Sequence, residues 1–186
     1  GKAQKVPWSK AAAHRYFSWH KYYDYNSGII GNLLSHRFYA LMLATGTPEF
    51  PSRVVCTGTR KVSTNREITD TTHVLAEFPS GLTFVIAGTT VNEVGLPDTI
   101  RGRNATAYLA GSANQAKLQP EKLFADEMDV EEFNDPTPYG KIEHLHANFY
   151  KCIRQGGTPF CNVDLTVRAN TVLALAEMSE RLGIVC

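Results

Sequence analysis

The stretch SGIIGNLLSHRFYALMLATG, residues 27–46, combines an apolar helical pattern with a narrow polar stripe. Most of its positions are Ile, Leu, Phe, Met or Ala, and a helix that is apolar over most of its surface is typically buried. At about 100° per residue, Asn32, His36 and Tyr39 fall on one side of this helix. Because an unpaired buried polar group costs about 1–3 kcal/mol, we expect the stripe to face a partner or a cavity.

The spacing of the stripe leaves three interpretations of His36 open. It fits a core histidine that is hydrogen-bonded to Asn32 or to a backbone carbonyl, a group that transfers protons, or a metal ligand. A histidine side chain can transfer protons because it gains and loses one near neutral pH. His144 and His146 are two residues apart, so on a helix they point about 200° apart and cannot share a metal ion. We predict no metal site.

Length and composition favour one soluble globular domain over residues 1–186. The formal charge of +1 gives no electrostatic basis for binding nucleic acid or an anionic membrane, and the apolar runs are too short to span a bilayer. The four cysteines lack metal or CxxC spacing and are expected to be free thiols. The chain begins GKAQK without methionine, which indicates a fragment. The sequence therefore fits either a cytoplasmic or an exported protein, and any targeting signal would lie upstream of this chain.

Strand-like runs follow the helix. They are SRVVCTGTRKV, THVLAEFP, LTFVIAGTTV, DTIRGRN and ATAYLAG, and FPSGLTF predicts a hairpin through Pro79-Ser80-Gly81. After an acidic, proline-containing segment (DEMDVEEFNDPTPYG) that is expected to be a surface loop, two helices follow, YGKIEHLHANFYKCIRQGG and CNVDLTVRANTVLALAEMSERLG. This order predicts an α+β fold, in which helices cover one face of a mainly antiparallel sheet of five or more strands. The open sheet face should then meet another domain or subunit.

Four segments together resemble one enzyme family, the Gfo/Idh/MocA oxidoreductases, which are relatives of glucose–fructose oxidoreductase and inositol dehydrogenase. YYDYNSGIIGNLLSHRFYALMLATG resembles the stretch that opens the family's second domain, and PSRVVCTGT resembles its first sheet strand. DTTHVLAEFPSGLTFVIAG is similar to the family's hairpin, and HLHANFYKCIRQGGTPFCNVDLTVRANTVLALAEMSERLG to its closing helices. The four pieces occur in the family's order and span about residues 12–183.

This resemblance implies a two-domain oxidoreductase that acts on a sugar, cyclitol or related polyol. NAD or NADP would be bound mainly by an N-terminal Rossmann domain, which this chain lacks. GIIG is too short and follows no strand, so we reject it as a dinucleotide-binding loop. The chain is therefore expected to be the C-terminal domain, inactive alone, which binds substrate and forms a homo-oligomer through its open sheet face.

The resemblance also assigns roles to residues. His36 matches the family's histidine and would be catalytic, as proton acceptor or hydroxyl-orienting donor, while Asn32 and Tyr39 would bind substrate. Trp19 and Tyr25 can stack on a sugar face or, equally, plug the base of the helix. Asn32 occupies a position where many members carry aspartate, and an amide cannot ionise. This departure favours an alternative, a non-catalytic ligand-binding or assembly module. A third option is a relative that uses NAD transiently during an elimination.

Overall fold

The computed structural model describes residues 9–109, 115–135 and 142–186. Its helices and strands are α1 (Lys10–Phe17), α2 (Ser35–Ala44), β1 (Arg53–Thr59), β2 (Thr71–Glu77), β3 (Thr83–Thr89), β4 (Asp98–Arg101), β5 (Ala105–Leu109), β6 (Gln115–Pro120), β7 (Glu131–Asn134), α3 (Ile142–Gln155) and α4 (Val163–Leu182). Short 3₁₀ turns lie at Trp19–Lys21 and Lys122–Phe124, and a π-helical turn, Ile30–Leu34, leads into α2. The chain forms two compact units, Gly1–Val94 with Val163–Cys186, and Gly95–Asn162.

The first unit is built on an antiparallel sheet in the order β1-β2-β3. In its register Val54 lies beside Ala76, and Ala76 lies beside Phe84. The predicted hairpin is confirmed, because β2 and β3 are joined by a turn in which Phe78 N–H donates to the Leu82 carbonyl at 2.9 Å. Gly81 takes a φ of 88° in this turn, a left-handed conformation that glycine adopts without a Cβ clash.

Helices cover one face of this sheet. Burial alternates along β2, where Thr72, Val74 and Ala76 are buried, so successive side chains point to opposite faces. Residues from the π turn, α2 and α4 pack on the buried face, and the resulting core contains Ile29, Ile30, Leu34, Phe38, Met42, Val54, Cys56, Val74, Ala76, Phe78, Phe84, Ile86, Leu165, Val172, Leu173 and Ala176. The predicted α+β fold, an antiparallel sheet with helices on one face, is confirmed.

The second unit contains a four-stranded antiparallel sheet in the order β4-β5-β6-β7. The strands are thus divided between two sheets, whereas the sequence predicted one sheet of five or more. Residues 90–97 separate β3 from β4 and form no strand, and they end in Pro97, which has no N–H to donate to a ladder.

The acidic segment of the second unit was predicted to be a surface loop, and this is wrong for Glu131–Asn134. These residues form β7, which pairs with β6, and the Glu132 carboxylate lies 3.5 Å from the Lys117 ammonium group. All four side chains of β7 are exposed, so the strand is held by backbone pairing at a sheet edge, a feature that hydrophobic patterning does not detect. Residues 136–140 of the predicted loop lie outside the described residues.

Glycines follow the ends of two helices. The helix of the first unit ends at Ala44, close to Gly46, and α3 ends at Gln155, next to Gly156; both glycines have positive φ. The four cysteines are free. In the described part of the chain, no helix has the length and apolarity needed to cross a membrane.

Gly88 on β3 lets the π turn and α2, which together form the site helix (residues 30–44), approach the sheet closely. A Cβ atom at this position would lie 2.7 Å from Leu34 Cδ2 and 2.9 Å from Ile29 Cγ2. Both neighbours are buried, and Cγ2 of Ile29 is attached to a branched Cβ, so neither can move away without disturbing the core. The missing side chain is therefore what allows residues 29–34 to pack onto β3.

Substituting Gly88→Ala should destabilise the first unit by about 1–3 kcal/mol, because overpacking forces the helix off the sheet. Chemical denaturation followed by far-ultraviolet circular dichroism measures the change. Gly95→Ala is the matched control, since its Cβ would meet nothing within 4 Å and it has no positive φ. Equal stability of the two variants would contradict the close-approach argument.

Candidate functional site

The polar stripe begins in the π-helical turn at the start of the site helix. Asn32 lies within this turn, and His36 lies in the first turn of α2. Gly28, with a φ of 66°, precedes the turn in a left-handed conformation. A π turn closes i→i+5 hydrogen bonds, so the 100° spacing assumed from the sequence does not hold across it. Single π turns inside helices occur frequently at functional sites, which makes this segment a candidate for one.

The side chains of Asn32 and His36 are exposed, and Tyr39 is half-buried. Within the described residues, neither Asn32 nor His36 makes a hydrogen bond or an ion pair through its side chain. His36 is therefore not the buried core histidine that the spacing left open. Both groups are free to contact a ligand or another domain.

The expectation that this helix is buried over most of its surface is wrong on the side that carries the stripe. Ile30, Leu34, Phe38 and Met42 are buried against the sheet, but Leu33 is 47% exposed and Leu43 is 55% exposed. Only one helix face can contact the sheet, so apolar residues beyond it stay at the surface. The stripe is thus flanked by exposed leucines.

Tyr39 connects the stripe to α4, a contact that sequence reasoning missed. Its phenolic O–H donates to Asn170 Oδ1 at 2.7 Å, across a separation of 131 residues. Asn170 itself is exposed. An isolated asparagine within a long amphipathic helix carries no local signal, so only the packing of the two helices reveals this pair.

The aromatic residues Trp19 and Tyr25 are also exposed, but their described contacts are with residues outside the polar stripe. The Trp19 ring meets the His20 ring edge-on at 6.0 Å. The Arg15 guanidinium lies 5.5 Å from the centre of the Tyr25 ring and forms an ion pair with Asp24. Hydrogen bonds to Tyr25 and then to Asp24 raise the pKa of Arg15. The described contacts do not join these two aromatic side chains to the stripe.

The half-buried carboxylate of Glu180 lies close to the segment that leads into the site helix. Thr72 Oγ1 donates to Glu180 Oε1 at 3.5 Å, and Thr72 Oγ1 lies 2.9 Å from Thr69 Oγ1. Burial raises the pKa of Glu180, although the threonine hydroxyls oppose the shift. Burial and then Glu180 also raise the pKa of Tyr23, whose ring stacks 4.8 Å from the Arg181 guanidinium. Tyr23 thus contacts α4 through Arg181, and Thr72 joins β2 to α4 through Glu180.

The glycines at the start of the site helix do not form a dinucleotide-binding loop, and the described residues contain no cluster that fits a metal ion. A Cβ at Gly28 would meet Ile68 Cβ at 3.3 Å, and one at Gly31 would meet Ser27 Cβ at 2.9 Å, so side chains already fill the space beside both glycines. A dinucleotide-binding loop follows a strand, and residues 9–29, which precede the turn in the described part of the chain, contain none. Among the residues that the structure describes, no three His, Cys, Asp or Glu side chains lie together where they could hold a metal ion.

Comparison with protein-family models gives a match over residues 5–182 to the oxidoreductase family, C-terminal alpha/beta domain. Comparison with curated proteins gives no match.

Solved structures share the fold. An oxidoreductase domain protein from Kribbella flavida is 18% identical with a TM-score of 0.69, over 97% of this chain and 53% of that one. An oxidoreductase from Agrobacterium radiobacter in complex with NAD+, L-tartaric acid and magnesium is 12% identical with a TM-score of 0.67, over 91% and 51%. UDP-N-acetylglucosamine 3-dehydrogenase from Acidithiobacillus ferrooxidans is 15% identical with a TM-score of 0.65, over 83% and 47%. The chain thus spans about half the length of these proteins.

Glu180→Gln should flatten the dependence of stability on pH. A carboxyl group whose pKa is raised by folding stabilises the fold most below its unfolded pKa, and that contribution is lost as pH rises through the folded pKa. The variant should therefore have a higher Tm than the wild type at pH 7, with a smaller difference at pH 4, in thermal unfolding scans. Glu143→Gln, which removes an exposed carboxylate in the first turn of α3, is the control. A lower Tm for Glu180→Gln at pH 7 would refute this.

Proposed function

The chain belongs to the Gfo/Idh/MocA oxidoreductase family as its C-terminal alpha/beta domain, and from this we propose that it forms the substrate-binding side of an NAD(P)-dependent oxidoreductase. The substrate class we propose is a sugar, cyclitol or related polyol. The observation that carries the proposal is the pair of exposed, unpaired polar side chains, Asn32 and His36, on the family's site helix. Surface polar groups are common, but these two start at a π turn and are flanked by exposed leucines.

The proposed chemistry follows from the proton that His36 can accept and the hydrogen bonds that Asn32 can make. Oxidation of an alcohol requires that the hydroxyl proton be accepted by a positioned base. His36 would accept that proton on a ring nitrogen. Asn32 would orient the hydroxyl, because an amide both donates and accepts hydrogen bonds. Asn32 cannot ionise, so it adds no charge that would raise the basicity of the imidazole.

The cofactor in this proposal is NAD or NADP, bound mainly by a Rossmann domain outside this chain. The family and the nicotinamide-bound relative from Agrobacterium radiobacter support this choice. The glycines near the site helix do not form a dinucleotide cradle, so no chemical step is assigned to the cofactor through residues of this chain. What this chain would contribute is the binding of the substrate, its orientation and the acceptance of a proton.

The open face of the β1-β2-β3 sheet would form the homo-oligomer contact. Val55, Leu75 and Val85 share this face, because they are neighbours across the ladder. Val85 is 78% exposed, while Val55 and Leu75 are only half-buried. An apolar row of this kind is more favourable when covered, at about 25 cal/mol per Å² of apolar surface removed from water.

A second candidate function is a non-catalytic ligand-binding or assembly module derived from the same family. The observation that favours it is Asn32, which stands where many members carry a group that can ionise. The two candidates differ in cofactor use. The full-length protein that contains this chain would bind NAD+ or NADP+ in a fluorescence titration if it is an oxidoreductase, and would bind neither if it is a module.

His36→Ala in the full-length protein should lower kcat/KM by roughly 10²- to 10⁴-fold, the usual loss on removing a general base. Initial rates of NAD+ or NADP+ reduction with D-glucose, D-xylose and myo-inositol measure the effect. His144→Ala replaces an exposed histidine on α3 and is the matched control. A wild-type kcat/KM for His36→Ala on every substrate that the protein oxidises would exclude the proton-acceptor role.

Val85→Glu should dissociate the oligomer, because it places a charge in the centre of the apolar row, where a buried unpaired charge is costly. Light scattering after size-exclusion chromatography gives the mass of the full-length protein. Val62→Glu makes the same change at another exposed valine, in the loop after β1, and should leave the mass unchanged. If the wild type is a monomer, or if Val85→Glu keeps the wild-type mass, the open face is not the contact.

A further inference from the structure

Tyr39 and Asn170 form a fixed hydrogen-bonded pair at the edge of the polar stripe. The pair joins two helices, and its O–H···O distance is 2.7 Å. Tyr39 follows Phe38 in sequence, and Asn170 follows Ala169; both of these neighbours are fully buried. Because the backbone on each side of the pair is held by the core, the two side chains have little freedom to move apart.

The hydrogen bond between Tyr39 and Asn170 determines which atoms of the pair can still donate or accept. Tyr39 uses its only O–H proton to donate to Asn170 Oδ1, so its oxygen keeps a lone pair that can still accept. The Asn170 amide nitrogen keeps two N–H donors. Within the described residues, no further hydrogen bond or ion pair uses these atoms. The pair therefore presents an acceptor and a donor side by side.

A hydroxyl group complements this arrangement. It can donate to Tyr39 Oη and accept from Asn170 Nδ2 at the same time, because a hydroxyl is both donor and acceptor. An ionised carboxylate or a fully ionised phosphate accepts only, so it would leave the Tyr39 oxygen without a donor. A site that pairs donor and acceptor with a hydroxyl rejects analogues that cannot make both bonds.

We propose that Tyr39 and Asn170 together recognise a hydroxyl group of the substrate and select polyhydroxylated ligands over acids that carry no hydroxyl group. The proposal rests on the proposed function for the location of the site, and it adds Asn170 on α4 as a residue that determines specificity. It also gives a reason for the interhelical hydrogen bond. By consuming the tyrosine proton, the bond fixes which atom of the pair accepts and which donates.

The decisive variant is Asn170→Asp. An aspartate accepts the Tyr39 proton as asparagine does, so the interhelical bond is kept, but it has no N–H to give to a ligand. Asn170→Ala removes both contacts, and Tyr39→Phe removes the acceptor. Thr171→Ala is the matched control, because the Thr171 hydroxyl donates only to the Val167 carbonyl of its own helix, at 2.8 Å.

The measurement is the Kd of the full-length protein for D-glucose, D-xylose and myo-inositol, with succinate as an acid that carries no hydroxyl group, by ligand-observed NMR titration. We expect the Kd of the polyol that the wild type binds most tightly to rise roughly 10- to 100-fold in Asn170→Asp, Asn170→Ala and Tyr39→Phe. Thr171→Ala should bind as the wild type does. Circular dichroism spectra and Tm values identify any variant that has lost its fold.

The outcomes separate this inference from the proposed function. If Asn170→Ala weakens binding and Asn170→Asp does not, the asparagine only braces Tyr39, and recognition of a hydroxyl by the pair is wrong. A wild type that binds succinate more tightly than every polyol also overturns it, and a wild type that binds none of the polyols overturns both this inference and the proposed substrate class. The proton-acceptor role of His36 is tested by turnover and not by Kd, so either proposal can fail while the other stands.

Discussion

The packing of residues 29–42 onto the inner face of the β1-β2-β3 sheet is the contact on which the rest of the first unit depends. Ile30, Leu34, Phe38 and Met42 are all buried although they are spaced by four residues, and in an ideal α-helix such a row drifts by about 40° at each step. The π turn at Ile30–Leu34 is wider than an α turn, so it offsets part of this drift. The same geometry keeps Asn32 and His36, also four residues apart, on the outward side.

The position of α4 is fixed by polar contacts as well as by apolar packing. Ser179 is buried on α4, accepts from Cys56 N–H at 2.9 Å and donates to the Ile184 carbonyl at 2.5 Å. Backbone atoms of Val54 and Cys186 pair in both directions, which extends the edge of β1 with the end of the chain. Since a buried polar group is costly only when it lacks a partner, these bonds let a serine lie in the core. Because Asn170 lies on the same helix, these bonds also help to hold it beside Tyr39.

The sequence was sufficient for those features that local patterns determine. The strand-like runs predicted β1 to β5, and the turn residues Pro79, Ser80 and Gly81 predicted the hairpin between β2 and β3. Patterns do not reveal edge pairing, so β7, with four exposed residues, was missed. They also assume one helical period. The π turn, the exposed Leu33 and the pairing of Tyr39 with a residue 131 positions away arise from tertiary packing, which no short window contains.

The outward side of the site helix carries both apolar and polar side chains, and this combination limits which surface or ligand can cover it. Leu33 and Leu43 gain from being removed from water, whereas covering Asn32 and His36 without hydrogen-bond partners would cost about 1–3 kcal/mol for each group. A purely apolar surface would therefore remove the leucines from water but leave Asn32 and His36 without hydrogen-bond partners. Bulk water would hydrogen-bond to Asn32 and His36 but leave the leucines exposed. A second domain that contacts the leucines and leaves a polyol between itself and the stripe satisfies both, because the ligand supplies the hydroxyl groups that an apolar wall lacks. This balance is the physical reason to place the substrate, and not only a domain interface, on this face of the helix.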